Sequence, residues 1–189
     1  VQIRNVATIA GNVATASPIG DSLPLLLSLN AQIVLQEFKK RKILFLDNFF
    51  ISYRKTKMKK GQFIHSIKIP LFQKNTFKAY KISKRFDDDI SSVCAAFNLE
   101  IFKNKVKNVR IAYGGMAAIP KRAFFCEKVL SNSVITSEII KKARQALERD
   151  FKPISDMRAS GIYRMEVAKN LLEKCFTEIQ QKKLIGVYV

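Results

Sequence analysis

Residues 1–21 read VQIRNVATIAGNVATASPIGD, and the organisation of the rest of the chain can be worked out from this stretch. It is rich in small and hydroxyl side chains and nearly free of charge, which argues against both a core helix and a solvated linker. Gly11 lets the backbone approach a bound group closely. Short hydrogen-bonding side chains surround it at Thr8, Asn12, Thr15 and Ser17. The stretch is therefore predicted to be a loop that lies against a ligand, with a polar turn between strands as the alternative.

The length and cysteine content indicate a chain that folds without disulfide bonds or a structural metal. Its 189 residues suffice for one large or two small domains, which bury roughly 70% of the surface of the unfolded chain. Cys94, Cys126 and Cys175 are far apart and form no CxxC pair, which argues against a metal or iron–sulfur site built from this chain alone. The apolar runs are shorter than the about 18 residues of a membrane span, and a signal pattern is absent from the start. A cytoplasmic chain without membrane contact is predicted.

The net charge of +19 is the strongest feature of the composition. It comes from 24 Lys and 10 Arg, and the basic runs, KKRK at 39–42 and KTKMKK at 55–60, are short. Nucleic-acid recognition more often concentrates Arg on one element and alternates it with stacking aromatic residues. The pattern therefore favours a Lys-rich solvated surface over a nucleic-acid interface, and the charge can steer the chain toward an acidic partner or an anionic dinucleotide.

Periodicity and turn residues divide the chain into strands and helices. Strands are predicted over 32–37, 42–45, 63–69, 79–83, 93–102 and 106–113. Helices are predicted over 22–29, 121–130, 137–151 and 160–179, with a helical turn at 46–51. Asp21 or Ser22 is expected to cap the first helix and Ser137 the third. Because strands precede helices beyond the polar stretch 72–78, the second part is predicted to be a sheet covered on one face by helices, in an α+β fold.

The opening stretch also resembles a known family. QIRNVATIAGNVATASPIGD is similar to the second flavin-contacting segment of the xanthine dehydrogenase small subunit, the polypeptide that carries FAD beside iron–sulfur clusters. Further matches follow in the same order, namely FFISYRKT at 49–56, YKISKRFDDDISSV at 80–93, RIAYGGMAAIPKRA at 110–123 and DFKPISDMRASGIYRMEVAKNLL at 150–172. Five ordered matches from residue 2 to about 172 are more specific than any single motif.

This resemblance implies a division of the chain. Residues 1–75 correspond to the second half of a PCMH-type FAD-binding domain. Residues 76–180 correspond to a CO-dehydrogenase-flavoprotein-C-terminal-like domain, a three-stranded antiparallel sheet with helices on one face, and 181–189 form a tail. Neither GxxxxGK[ST] nor GxGxxG occurs. In the family the pyrophosphate loop and the cysteine motifs of the iron–sulfur clusters lie upstream, so about half of the flavin site is expected here.

The resemblance also implies individual FAD contacts. They fall on Thr8, Gly11, Asn12, Thr15, Asp21, Ile64 and Lys81. A charged loop beside the flavin corresponds to residues 84–89. Ala10 departs from the family, which usually has a second glycine there, and a positive φ at this position would strain the loop. Asp156, Arg158, Tyr163 and Arg164 are interpreted as a structural clamp. No catalytic side chain and no metal ligand is assigned, and His65 lacks a recognisable triad partner.

The implied function is electron transfer in purine oxidation. Electrons taken from xanthine at a molybdenum centre on a large molybdopterin-binding subunit pass through iron–sulfur clusters to FAD and then to NAD⁺. The upstream iron–sulfur and FAD segment is a second expected partner, and the chain is not expected to turn over alone. Two alternatives stay open: a flavoprotein subunit of an aldehyde or CO type molybdenum hydroxylase, and a basic docking or nucleic-acid-binding module.

Overall fold

The N-terminal part of the chain is an antiparallel sheet with helices packed on one face. The computed structural model describes residues 5–85 and 89–182. Its first elements are α1 (Ile9–Thr15), α2 (Ser22–Ser28), β1 (Gln32–Glu37), β2 (Lys40–Phe45), a 3-10 turn (Leu46–Asn48), β3 (Phe50–Ser52), β4 (Lys55–Thr56) and β5 (Phe63–Lys68). The sheet order is β2-β1-β5, while β3 and β4 form a small separate hairpin. Ile33 and Leu35 of β1 are buried against α2 in the core of this part.

The C-terminal part is a second antiparallel sheet followed by helices. It contains β6 (Asn75–Ile82), β7 (Val93–Phe102), β8 (Lys105–Gly114), β9 (Lys121–Arg122), α3 (Phe124–Leu130), α4 (Ser137–Asp150) and α5 (Gly161–Gln181). The strand order is β6-β7-β8-β9. Across the two described ranges, every helix is too short or too polar to cross a membrane. The predicted α+β fold is confirmed, with the two-residue β9 added to the three long strands.

Aromatic side chains form the centre of the C-terminal core. Phe97 of β7 meets Tyr113 of β8 edge to face, with ring centroids 5.9 Å apart, and Tyr113 meets Phe151 at 5.4 Å. Because a buried hydroxyl needs a partner, the Tyr113 hydroxyl donates to the carbonyl oxygen of Ala168 in α5 at 3.0 Å. These contacts fix α5 and the end of α4 against one face of the sheet.

The opposite face of this sheet is covered by α2 from the N-terminal part. Asn98 of β7 donates to the carbonyl oxygen of Ser28 at 3.1 Å. Arg110 of β8 donates to the carbonyl oxygen of Leu27 at 3.0 Å and to Asp47 at 3.0 Å. Residues 93–99 of β7 and 109–114 of β8 are therefore buried or half-buried on both faces, and the two parts of the chain share one packed interface.

Several local predictions need correction. The helical turn predicted over 46–51 is a 3-10 turn only over 46–48, and β3 begins at residue 50. Ile9–Thr15 is a helix rather than a loop, because the Thr8 side chain caps it by accepting from Gly11 N while Val13 and Ala16 are buried. Thr136, not Ser137, caps α4. Residues 121–122 pair with β8 instead of starting a helix, which begins only at residue 124.

The predicted clamp at the start of α5 is confirmed for Arg164 and Asp156. The Arg164 side chain is only 2% exposed. Its guanidinium donates to the carbonyl oxygens of Ser92 and of Gly115, the latter at 3.1 Å, and to Asp156 Oδ1 at 2.7 Å. One buried cation therefore joins α5 to the segment before β7 and to the turn after β8.

Asp156 is expected to make stability depend on pH below about 5. Although partial burial opposes it, the backbone amides of Arg158 and Ala159 and the Arg164 guanidinium lower the pKa of Asp156 below its ordinary 3.8. A lowered pKa means that the unfolded chain takes up the proton first, so the stabilisation is present above the unfolded pKa and is lost as pH falls through the folded one. Urea unfolding at pH 5 and pH 3 is expected to show a smaller loss of stability for Asp156→Asn than for the wild type; equal losses would contradict this.

Candidate functional site

One face of α1 presents small and hydroxyl groups to solvent. Gly11 and Thr15 follow Thr8 by three and seven residues, a spacing that places all three on one side of a helix. All three residues are exposed. Thr8 Oγ accepts from Gly11 N at 3.0 Å, and Thr15 Oγ donates to Gly11 O at 2.8 Å. The Thr8 hydroxyl proton and the Thr15 oxygen lone pairs stay available to a ligand. A Cβ at position 11 would lie 2.9 Å from Thr8 Oγ, so glycine keeps this face open.

Asn12 connects α1 to α2. Its side-chain oxygen accepts a hydrogen bond from Ser22 Oγ at 2.5 Å. Ser22 directly follows Asp21 in the chain. Gly20 packs beside the same amide, since a Cβ at position 20 would lie 3.2 Å from Asn12 Oδ1. The amide of Asn12 therefore sets the distance between the α1 face and the start of α2.

Asp21 and Lys81 form an ion pair at the start of α2. Lys81 Nζ lies 2.9 Å from Asp21 Oδ2, and the two side chains are 43% and 41% exposed. The other carboxylate oxygen, Oδ1, accepts a hydrogen bond from Ser91 Oγ, which is 1% exposed. Asp21 therefore does not cap α2 with its side chain as predicted, because the carboxylate is turned toward β6 and the segment before β7.

Cys94 lies against the main chain of Asp21. Burial, together with the charge of Asp21, raises the pKa of the Cys94 thiol to about 12, while Lys81 acts in the opposite direction. The thiol is therefore protonated at neutral pH and can donate to the carbonyl oxygen of Asp21, 3.7 Å away. Cys94 supports the backbone under the ion pair and is not an activated nucleophile.

The remaining predicted residues are dispersed around this centre. Ile64 is half-buried in β5, in the core cluster that also contains Val13 of α1, and is not part of the ion pair. Ala10 lies within α1, and the left-handed residue is instead Ala16, with φ 50°, where the helix ends. The strain considered for Ala10 is therefore absent.

The charged loop and the single histidine make other contacts. Lys84 Nζ donates to the carbonyl oxygen of Met157 at 2.8 Å, and Asp89 Oδ2 accepts from the backbone amide of Arg85 at 2.9 Å. Phe86, Asp87 and Asp88 lie outside the described residues. His65 contacts Arg41 at 3.0 Å and Ser66 at 3.2 Å on the exposed side of β5.

The sequence interpretation missed Ser22, Ser91 and Cys94. Serine and cysteine carry little specific signal by themselves. The pairing register of β6 with β7 would have found Cys94, because it places this residue directly opposite Lys81. Ser91 lies in the ISSV end of a matched segment and becomes recognisable only when the position of Asp21 in space is known.

Comparisons with known proteins agree with this architecture. Residues 1–72 match the family profile described as FAD binding domain in molybdopterin dehydrogenase, and residues 78–179 match the CO dehydrogenase flavoprotein C-terminal domain. Xanthine dehydrogenase of Emericella nidulans is 38% identical over 154 residues, which are 79% of this chain and 11% of that protein. The glyceraldehyde dehydrogenase medium chain of Sulfolobus acidocaldarius is 31% identical over 95% of this chain and 63% of its own length.

A solved structure has the same fold. Carbon monoxide dehydrogenase from Hydrogenophaga pseudoflava superposes with a TM-score of 0.86 at 24% identity, covering 91% of this chain and 60% of the matched one. This chain thus spans less than two thirds of each of these relatives. The second family profile alone covers more than half of the chain and includes the whole C-terminal sheet except the first three residues of β6. The chain therefore belongs to the FAD-binding flavoprotein family of the molybdenum hydroxylases, which are oxidoreductases.

Proposed function

We propose that this chain forms one side of an FAD site in a molybdenum hydroxylase of the xanthine dehydrogenase type. The observation that carries the proposal is the half-exposed Asp21–Lys81 pair, held close to the open polar face of α1 by the bond between Asn12 and Ser22. A structural ion pair alone would not require a neighbouring helix face that is free of large side chains.

The chemistry of these side chains fits a flavin nucleotide. The hydroxyls of Thr8 and Thr15 suit phosphate and ribityl oxygens, and the Asp21 carboxylate can accept from sugar hydroxyls through lone pairs that Ser91 and Lys81 leave free. Lys81 can donate to a phosphate or to a ring oxygen while it stays paired with Asp21. FAD, when bound, supplies the redox chemistry. The chain binds and orients it, and the proposal assigns no acid or base to a side chain.

The proposal extends to the complete complex. Iron–sulfur clusters are expected on an upstream segment, which with residues 1–75 completes the FAD-binding domain. Molybdopterin is expected on a large subunit. Residues 76–180 are proposed to form the second domain and residues 181–189 the tail. The proposed electron acceptor is NAD⁺, and the proposed substrate is xanthine or hypoxanthine. The proposed location is the cytoplasm. The 38% identity to a xanthine dehydrogenase supports this choice. The similarity to a CO dehydrogenase makes an aldehyde or CO type enzyme the alternative, and assays of the complex with purines, aldehydes and CO separate the two.

The direct test is a titration of FAD followed by its fluorescence. The purified chain is titrated alone and together with a polypeptide that carries the upstream glycine-rich segment of a family member. Binding in the mixture, or by the chain alone, is expected. Absence of binding in both would contradict the proposal and would favour the basic docking module, whose nucleic-acid form predicts strongly salt-dependent binding of DNA or RNA.

Two substitutions are expected to weaken FAD binding about tenfold each. Asp21→Asn removes the charge that holds Lys81, and Lys81→Met removes a charged donor, changes that each cost about 1.4 kcal/mol. Lys107→Met on β8 is the matched control for Lys81→Met, because Lys107 is also exposed to solvent but lies outside the proposed site. An equal loss of affinity in Lys81→Met and Lys107→Met would show a general effect of net charge on the binding of anionic FAD and would contradict the contact assigned to Lys81. A general charge effect would strengthen binding in Asp21→Asn, so a weaker binding there supports the assigned contact.

A further inference from the structure

We infer that Ser91 is a positioning residue of the proposed flavin site, whose hydroxyl fixes the Asp21 carboxylate and thereby places Lys81. The inference rests on the proposed function and adds a residue that contacts the Asp21–Lys81 pair from its buried side. Ser91 is almost completely buried, whereas the pair that it supports is half-exposed. It can therefore act on a bound flavin only through Asp21.

The carboxylate of Asp21 is held at both oxygens by donors from different segments. Oδ1 accepts from Ser91 Oγ, before β7, and Oδ2 accepts from Lys81 Nζ on β6 at 2.9 Å. A carboxylate with a single donor can rotate about its side-chain bonds, while two donors on opposite oxygens select one rotamer. The Lys81 ammonium is then held by a carboxylate that does not itself turn, which is the preorganisation that a binding site requires.

Main-chain hydrogen bonds of the next residue hold Ser91 in place. The next residue, Ser92, donates its amide to the carbonyl oxygen of Ile82 at 2.7 Å, at the end of β6. The carbonyl oxygen of Ser92 accepts from the buried guanidinium of Arg164 in α5. Ser91 is thus fixed by the sheet on one side and by the α5 clamp on the other, and contacts within the chain itself present its hydroxyl to Asp21.

Removal of this hydroxyl leaves Oδ1 of Asp21 without its buried donor. The carboxylate is then expected to turn toward solvent. Lys81, whose ion-pair partner within residues 5–85 and 89–182 is this carboxylate, is expected to follow. The effect on FAD must therefore depend on the presence of the Asp21 carboxylate. This dependence distinguishes a positioning role of Ser91 from a general loss of stability. The free-energy effects of two unrelated substitutions add, whereas those of two substitutions in one contact do not.

The test is a double-mutant cycle on FAD affinity in the mixture of this chain with the upstream segment. Ser91→Ala is expected to weaken binding about three- to tenfold, and Asp21→Asn about tenfold. The double variant is expected to match Asp21→Asn alone. Ser92→Ala is the matched control, since it removes a hydroxyl at a buried neighbouring position whose contacts described above are made by the main chain. Wild-type affinity is expected for this variant. The absorbance spectrum of the bound flavin is expected to shift in Ser91→Ala and not in Ser92→Ala.

The outcomes separate the inference from the proposed function. Absence of FAD binding by the wild type would overturn both. Binding by the wild type with unchanged affinity in Ser91→Ala, or additive losses in the double variant, would overturn the role of Ser91 alone. Ser91→Cys keeps the shape of the side chain with a weaker donor and is expected to give an intermediate affinity; if Ser91→Ala fails to fold, Ser91→Cys with wild-type affinity overturns the inference.

Discussion

Gly115→Ala is expected to lower the free energy of unfolding by about 3–4 kcal/mol, the sum of a left-handed backbone penalty and steric overlap in a packed region. Gly115 has φ +80°, and its amide donates to the carbonyl oxygen of Pro18 at 2.8 Å. A Cβ there would overlap the carbonyl oxygen of Ser92 and lie 3.0 Å from Arg164 Nη1. Because the obstacle is backbone on one side and a buried guanidinium on the other, neither can move aside at low cost.

Gly61→Ala is the matched control. Gly61 has φ +86°, so the backbone penalty is the same, but a Cβ there would have no neighbour within 4 Å. We expect a loss of about 1 kcal/mol for Gly61→Ala, and the difference between the two variants measures the steric term at the Arg164 clamp. Urea unfolding followed by circular dichroism gives both values. Similar losses in the two variants would show that crowding around Gly115 contributes little.

Arg164→Met is expected to cost about 3–5 kcal/mol of stability, as is typical when one partner of a buried charged network is removed. The methionine fills much of the space of the arginine stem but donates no hydrogen bond. The carbonyl oxygens of Ser92 and Gly115 and the Asp156 carboxylate would then lose the donor that they share. Among the described residues, Arg164 Nε is the one buried side-chain nitrogen or oxygen without a hydrogen-bond partner, so the burial of this cation rests on its remaining nitrogens.

Arg158→Met serves as the comparison for the loss of charge. Arg158 lies in the same connection between α4 and α5, and its backbone amide, not its guanidinium, donates to Asp156. We expect less than about 0.5 kcal/mol for this variant. The measurement is thermal and urea unfolding of both proteins at pH 7. A small effect of Arg164→Met, within that of Arg158→Met, would mean that water replaces the guanidinium and that the clamp is not a stabilising element.

The sequence predicts the long elements of the fold well and the short ones poorly. The extent of β7 agrees with the predicted 93–102, and α4 and α5 lie within two residues of their predicted ends. These elements have many positions that follow the hydrophobic period, so one atypical residue has little effect on the predicted bounds. Helix α1 has only seven residues and was predicted as a loop, because its small side chains resemble turn composition and its stability comes from one cap and two buried contacts.

The candidate site could be predicted only in part for a related reason. The pairing of Asp21 with Lys81 joins residues sixty positions apart, and it follows from the packing of α2 against the second sheet, a contact that has no local pattern. The resemblance placed both residues at a flavin without relating them to each other. The role proposed for Ser91 depends on three-dimensional neighbours alone. Arg164 could be assigned to a clamp from its matched segment, but its main-chain partners at Ser92 and Gly115 could not be predicted.

The interface under α2 has a consequence for how the two matched families divide the chain. Asp47, from the N-terminal part, accepts from Arg110 at 3.0 Å and from Arg122 at 2.9 Å, and Arg122 also pairs with Glu127. Ala112 of β8 belongs to the same core cluster as α2 and β1. Separation near residue 75 would expose charged groups whose partners lie on the other fragment. We therefore expect the two parts on either side of the family boundary to unfold together rather than as independent units.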